Sequence, residues 1–519
     1  MQADGESGVP SVLMPRFRCA ALCGAAKCSV PARRPRRAHG KIRPVRRTAW
    51  PALAALLCLL ACVGARAQTR WYAVEMGGQH IGHLVEERVA TEGHVRTRIG
   101  LSLLVKRDGT PLRIEASERH EEREDGTPLG FASRLEAGGT RTEVEARVEH
   151  GMIEARIVQG DRVSERRLPW PEGALLAEGQ RRLLASLPGS GARERRARAF
   201  DAAALTAVPL KLVLRQDPPP ERPELVRIEQ ELGEPGAGQH TEVWLEPERG
   251  EVVQMQTTLF GLPLRMRSCS EACATAPPVA AEVLLTSLVP SPRALSVRER
   301  RRTLWYRVAA DGAALAPLSR IPGQRIVRDA EGEVVLAIDP HGQDAPAPSP
   351  ADTLPSRWLQ SDDPEVRALA IRAAAGSTRP ERILPRLVRA VREHIRHRSL
   401  NVGYASAAEV VRQREGDCTE HAVLLAALAR ALGIPARVVF GLAYAPAYAG
   451  REQVFVPHAW VMAWVEGRWV GLDAALAGFD AAHIGLAMGD GEPFDFYGGL
   501  DLMGRLRILD ITAHATEDR

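Results

Sequence analysis

The hydrophobic period of this chain changes once, at a break rich in Pro, Ala and Asp between His341 and Pro355. Before the break, apolar residues alternate or run over strand lengths, as in Ile99-Gly100-Leu101-Ser102-Leu103-Leu104-Val105 and Thr142-Glu143-Val144-Glu145-Ala146-Arg147-Val148. A period of two puts one face of an extended segment against a core and leaves the other wet. Turn signals separate the runs (Asp108-Gly109, Asp125-Gly126, Gly138-Gly139), as in an antiparallel sheet. After the break, apolar residues recur at helical spacing: Ile383, Leu387, Val391 and Ile395 are each four apart. The two patterns predict an α+β multidomain chain, with antiparallel β-rich structure first and helices packed on an antiparallel sheet second.

The expected divisions are a leader over 1–67, a β-rich domain over 68–275, a second β-rich segment over 276–340, a linker over 341–355 and a C-terminal domain over 356–519. One helical stretch, Leu175 to Leu187, interrupts the first β-rich domain. The charged run Glu118 to Asp125, with His120, reads as a solvated strand end and turn. Asp363-Pro364-Glu365 supplies a cap and a first-turn proline for one helix. Thr378-Arg379-Pro380-Glu381 has the pattern of a capping box for the next, and a short helix over Ala405 to Arg412 follows.

The formal charge of +5 belongs to the N-terminus. Up to Ala67 there are 12 Lys+Arg against 2 Asp+Glu, and the remainder holds 57 basic against 62 acidic residues. A mildly acidic body argues against a general nucleic-acid binder. Within the leader, Arg43, Arg46 and Arg47 precede an apolar run from Trp50 to Val63, and Ala65-Arg66-Ala67 offers small residues where a signal peptidase reads. That run is shorter than the roughly 20 residues needed to span a bilayer. A periplasmic or secreted protein beginning at Gln68 is expected. An uncleaved membrane anchor, or lipid attachment at Cys62, is the alternative, with membrane association through this segment.

Only three cysteines follow the leader: Cys269, Cys273 and Cys418. A close pair and one left over fit an oxidising compartment with a small disulfide loop and one reactive thiol. Free thiols or a metal site are the alternatives for Cys269 and Cys273, but zinc asks for about four ligands and no second Cys/His pair lies nearby.

Cys418 stands in Arg414-Glu415-Gly416-Asp417-Cys418-Thr419-Glu420-His421. Leu424, Leu425, Leu428 and Leu432 then share one helical face, which Gly433 and Pro435 end. Cys418 is thus placed at a helix N-terminus with Asp417 as cap, where unpaired N–H groups and the helix dipole favour a thiolate. The Cys418 N–H is a candidate oxyanion donor for the same reason. Further on, Val454 to Val465 reads as a strand, Glu466-Gly467 as a two-residue turn and Arg468 to Asp473 as the return. This register sets His458 opposite Ala475 and Asp473 two residues from that partner, on the same face. Diagonal neighbours of this kind are about 7–8 Å apart, and a slip of one residue would separate them. A thiol, an imidazole and a carboxylate are the parts of a nucleophile, its base and the base's orienter. His421, one turn beyond Cys418, is a supporting group or a polar first-turn residue. Tyr404 and Asn401 are upstream candidates for a second oxyanion donor, and Trp460 is a core aromatic or a substrate platform.

These residues resemble the transglutaminase-like superfamily, a papain-related group of cysteine enzymes. The resemblance covers about residues 380 to 480. It is carried by Arg414-Glu-Gly-Asp-Cys418 before a helix, Gly433-Ile-Pro-Ala-Arg437 before a strand, His458-Ala-Trp460, and Trp469-Val-Gly-Leu-Asp473. It implies a papain-like fold in which Cys418 is the nucleophile, His458 the base and Asp473 the orienter. It also implies acyl transfer through a thioester on a peptide or protein amide of the cell envelope. Water as acceptor makes a peptidase or amidase, and a lysine amine makes a crosslinker. Neither cofactor nor metal is expected. The alternative is an inactive binding or envelope-assembly module of the same fold.

Overall fold

The computed structural model describes residues 66–219, 222–233, 238–259, 261–310, 315–330, 332–341, 346–400, 404–492, 499 and 502–513. The leader up to residue 65, including Cys62, lies outside the described residues, as does Asn401.

The alternating half folds as one large sheet made of two meanders. Strands from Arg66–Met76 to Arg162–Pro169 pair antiparallel in chain order, and so do those from Glu194–Asp201 to Leu262–Cys269. The meanders join where the first strand meets the last, with Tyr72 opposite Ser268 and Val74 opposite Met266. Period-two burial is plain along Thr140–Glu149, where Thr140, Thr142, Val144, Ala146 and Val148 are buried in turn. The sheet curls enough for the meanders to share a core: the Phe131 and Phe200 rings lie 5.1 Å apart, and Trp170 stacks on Phe200 at 4.6 Å. Cys269 and Cys273 are joined in a disulfide beside this seam, with Cα atoms 6.0 Å apart.

One reading of this half is corrected. His120 and Glu122 are buried rather than solvated. The helix Ala177–Ser186 starts against their strand without a side-chain cap of its own. The Glu122 carboxylate accepts the Glu178 N–H at 2.6 Å and the Gly179 N–H at 3.0 Å, so a distant strand residue caps the helix. Such a partnership leaves no local sequence pattern.

The 276–340 segment pairs with the C-terminal part of the chain. Val289–Pro290 adds to the edge of the C-terminal sheet, with Val289 opposite Phe455. Leu304–Ala310 lies between Glu333–Ile338 and the strand Leu506–Ala513. Tyr306, fully buried, donates its hydroxyl to the Ala481 carbonyl at 2.7 Å. The Pro-rich stretch after it is pinned rather than loose: Trp469 Nε1 donates to the Pro346 carbonyl at 2.9 Å, and Arg437 grips Asp352.

In the C-terminal part, helices Pro364–Ala374, Pro380–His394, Ala407–Gln413 and Cys418–Ala431 pack on a sheet of order Val289–Pro290, Arg451–Val465, Ala436–Tyr448, His483–Gly489. Arg468–Leu472 also pairs with Arg451–Val465. Asp363 caps its helix through the Glu365 and Val366 N–H groups. The expected Thr378 capping box does not form. Pro380 takes the first helical position, which makes Arg379 the cap residue and leaves Thr378 one residue out of phase. The helix beginning at Cys418 is not amphipathic in place. It is buried on all sides from Glu420 to Arg430, with small Ala422, Ala426, Ala427 and Ala429 admitting neighbours closely. Among the described residues no helix is long and apolar enough to cross a membrane.

Replacing Glu122 by Ala should strand two buried N–H groups at the start of the Ala177–Ser186 helix. A loss of about 1–3 kcal/mol is expected, read as a lower urea midpoint in tryptophan fluorescence; an unchanged midpoint would mean water caps the helix instead.

Candidate active site

The approach to Cys418 is set by backbone. The helix Ala407–Gln413 ends with Arg414 in the left-handed conformation, φ 57°. Glu415 then bridges His397, and Gly416 sits at φ 155°. A Cβ on Gly416 would fall 2.3 Å from Glu420 Cβ, so only glycine fits there. That proximity lets the Asp417–Glu420 capping box close: Asp417 Oδ1 accepts the Thr419 N–H at 2.8 Å, and Glu420 Oε2 accepts the Asp417 N–H at 2.9 Å. Glu420 Oε1 also accepts the Ala405 N–H at 3.1 Å. Burial first, and then the Asp417 charge, push the Glu420 carboxyl above its usual range. Cys418 follows as the first helical residue, partly exposed, and is the free thiol among the described residues.

The base and its partner come from the expected hairpin in the expected register, with Val461 opposite Leu472 and Val465 opposite Arg468. The ladder stops at Leu472, so Asp473 lies just past it where the chain turns. His458 Nε2 reaches Asp473 Oδ2 at 2.8 Å. The His458 side chain and Cys418 line the same cavity. Asp473 Oδ1 accepts the Ala475 and Leu476 N–H groups at 2.7 and 2.8 Å, which fixes the carboxylate plane. From the neighbouring helix, Arg392 holds the same turn through the Asp473 and Ala474 carbonyls.

Burial works against charge on His458, but its interactions with Asp473 and Cys418 prevail and raise it to about 9. Burial likewise opposes ionisation of Asp473, yet the bonds from His458 and His483 hold its carboxyl well below the usual carboxylate range. The group therefore rests as a buried carboxylate against protonated imidazoles.

Two contributors were missed by the sequence reading. His483 Nε2 is the second imidazole on Asp473 Oδ2, at 3.1 Å, and its Nδ1 faces Asp480, which Arg300 salt-bridges at 2.6 Å. His483 lies on a strand that pairs with the far side of Ala436–Tyr448. Gly441, opposite His458, is closely packed: a Cβ there would stand 2.1 Å from the Ile484 carbonyl oxygen and 2.8 Å from the Trp460 ring. The spacing Asp480-x-x-His483 was the available signal, and a weak one. The other contributor is Arg107, from the β-rich half. It forms an ion pair with Asp417, and burial of its guanidinium is outweighed by Asp417 and Cys418. Nothing near Arg107 in sequence marks it.

The remaining candidates are placed as follows. His421 bonds back to the Asp417 carbonyl at 2.6 Å, and burial lowers its tendency to protonate. Tyr404 borders the same cavity as Cys418, but its hydroxyl donates to the Gly491 carbonyl at 2.6 Å. Trp460 is buried, its ring stacked at 6.2 Å on His458. His458, Asp473 and His483 bring three ligand-type atoms within 4.8 Å of one another, and the two imidazoles are hydrogen-bonded to the Asp473 carboxylate. Cys418 and His458 open on a cavity of ≈ 670 Å³.

Residues 367–474 match the family model of the transglutaminase-like superfamily. A search of the curated proteins returns no match. Among solved structures, the chain is similar to a candidate cysteine protease from Cytophaga hutchinsonii at 18% identity and TM-score 0.28, covering 41% of this chain and 85% of that one. It is also similar to a β-barrel-like protein of a domain of unknown function from Brucella abortus at 13% identity and TM-score 0.31, covering 40% and 98%. A candidate protease from Parabacteroides distasonis matches at 9% identity and TM-score 0.17, covering 66% and 68%.

Arg107→Ala removes a guanidinium that favours negative charge at the start of the Cys418 helix. Alkylation of Cys418 by iodoacetamide at neutral pH should slow by about tenfold. An unchanged rate would show that Arg107 ties the two halves together without influencing the thiol.

Proposed function

With a transglutaminase-like core over residues 367–474, we propose that this protein is a thiol-dependent acyl-transfer enzyme acting on amides, with Cys418 as nucleophile, His458 as base and Asp473 as orienter. The observation that carries the reading is the Cys418 thiol at a capped helix N-terminus, sharing one cavity with His458, whose Nε2 is hydrogen-bonded to Asp473 at 2.8 Å. In the proposed cycle the Cys418 sulfur attacks the amide carbonyl. The oxyanion is held by the Cys418 N–H, which has no intrahelical acceptor. The C–N bond then breaks and the amine leaves with the proton carried by His458. Water is the default acceptor: His458 takes its proton as hydroxide attacks the thioester, and the thiolate is released. His483 and Asp480 act through Asp473 as positioning residues.

A cell-envelope setting belongs to the same proposal. It is supported by the export-like pattern from Arg43 to Ala67 and by a disulfide together with one free thiol among the described residues. Peptide or protein amides of the envelope are the proposed substrates.

Cys418→Ala should abolish release of amine from amide substrates, and His458→Ala should bring the alkylation rate of Cys418 down to that of the denatured chain. If native Cys418 alkylates no faster than in denaturant, the protein is a binding module. The pH dependence has a definite sign. A raised imidazole keeps its proton below about 9 and loses it as pH rises through that value, so kcat/KM should fall on an alkaline limb near pH 9. Asp473→Asn should move that limb toward neutrality and lower kcat/KM by about 10²–10⁴-fold.

A further inference from the structure

The cavity beside Cys418 is built jointly by the two halves of the chain. The β-rich half supplies Leu112, Ile114 and Leu135, and the C-terminal half supplies Phe440, Val456 and Pro457. Its ≈ 670 Å³ falls within the size of small-molecule sites, roughly 300–1,000 Å³. The reacting groups Cys418 and His458 stand in this wall, with His421 beside them.

Several polar groups elsewhere in the wall have partners within the protein, although the buried Trp358 Nε1 has none. The Thr140 hydroxyl donates to the Ala137 carbonyl at 2.6 Å, the Ser287 hydroxyl to Val283 at 2.5 Å and the Tyr404 hydroxyl to Gly491 at 2.6 Å. Arg107 and Asp417 neutralise each other, and Arg398 donates to the Ala475 carbonyl at 2.8 Å. A peptide threaded here would bring an N–H and a C=O with every residue, each costly to bury without a partner. An alkyl chain brings none and gains from burial along its whole length.

We propose that this cavity holds a long alkyl chain, so that the amide presented to Cys418 belongs to a lipid-bearing molecule. The inference rests on the acyl-transfer reading for its chemistry, though not for its occupant. If the chain is on the acyl side, the Cys418 Sγ–C bond forms as the C–N bond breaks. A fatty thioester remains in the cavity, the amine leaves with the His458 proton, and water returns the acid and the thiol. If the chain is on the amine side, the same bonds change and the alkylamine departs.

Binding to the full chain carrying Cys418→Ala separates occupant from chemistry. Calorimetry with N-acyl glycinamides from butanoyl to dodecanoyl should show affinity rising about fourfold per methylene until the cavity is full. Ile114→Trp and Leu135→Trp should each stop that rise at a shorter chain. Circular dichroism checks both variants, and either one alone suffices if the other fails to fold. Affinity independent of chain length, or tighter binding of an apolar hexapeptide amide than of N-dodecanoylglycinamide, would overturn the proposal. With the native thiol, N-dodecanoyl aminomethylcoumarin and N-acetylglycine dodecylamide report which side of the bond carries the chain. Chain-length-dependent binding without turnover of either would uphold the occupant and defeat the acyl-transfer reading.

Discussion

The start of the Cys418 helix is the constraint on which the rest of the site depends. The first N–H groups of a helix have no partner in a preceding turn and must find one elsewhere. Asp417 and Glu420 close a capping box there, Gly416 makes room for it, and Glu420 extends it to Ala405. The thiol is thereby placed by local chemistry. The hairpin brings His458 and Asp473 to it, and Arg107 adds positive charge from the other half of the chain. Removing the box would let the helix slide or fray, and each of those contacts would lose its target.

Much of this was legible because it rests on local chemistry. Asp363-Pro364 and Asp417-Cys418 start helices for reasons contained in a few residues. The two-residue turn at Glu466-Gly467 fixes a register that carries through to the His458–Asp473 contact. What escaped reading depends on residues far apart in sequence. Glu122 caps a helix some 56 positions away, Arg107 meets Asp417 across 310, and His483 reaches Asp473 from a strand that pairs with Ala436–Tyr448 on the side away from His458. The capping box at Thr378 misled by a single position, since proline's preference for the first helical residue outweighed the threonine.

The β-rich half has a share in the site that its own sequence does not announce. It contributes one charge at the thiol and part of an apolar wall. The selectivity of such a site would lie as much in the sheet as in the domain that bears the nucleophile, because the reacting atoms come from one half and the enclosing surface from both.

The sheet that flanks the C-terminal domain has a consequence for how the chain is made. Leu304–Ala310 waits for Leu506–Ala513, with Leu304 set opposite Ala513. At typical rates of synthesis those partners appear roughly 10–40 s apart. During that interval one edge of Leu304–Ala310 has no neighbour and is open to pairing with another chain. The last described strand to be synthesised is therefore also the one that closes this edge.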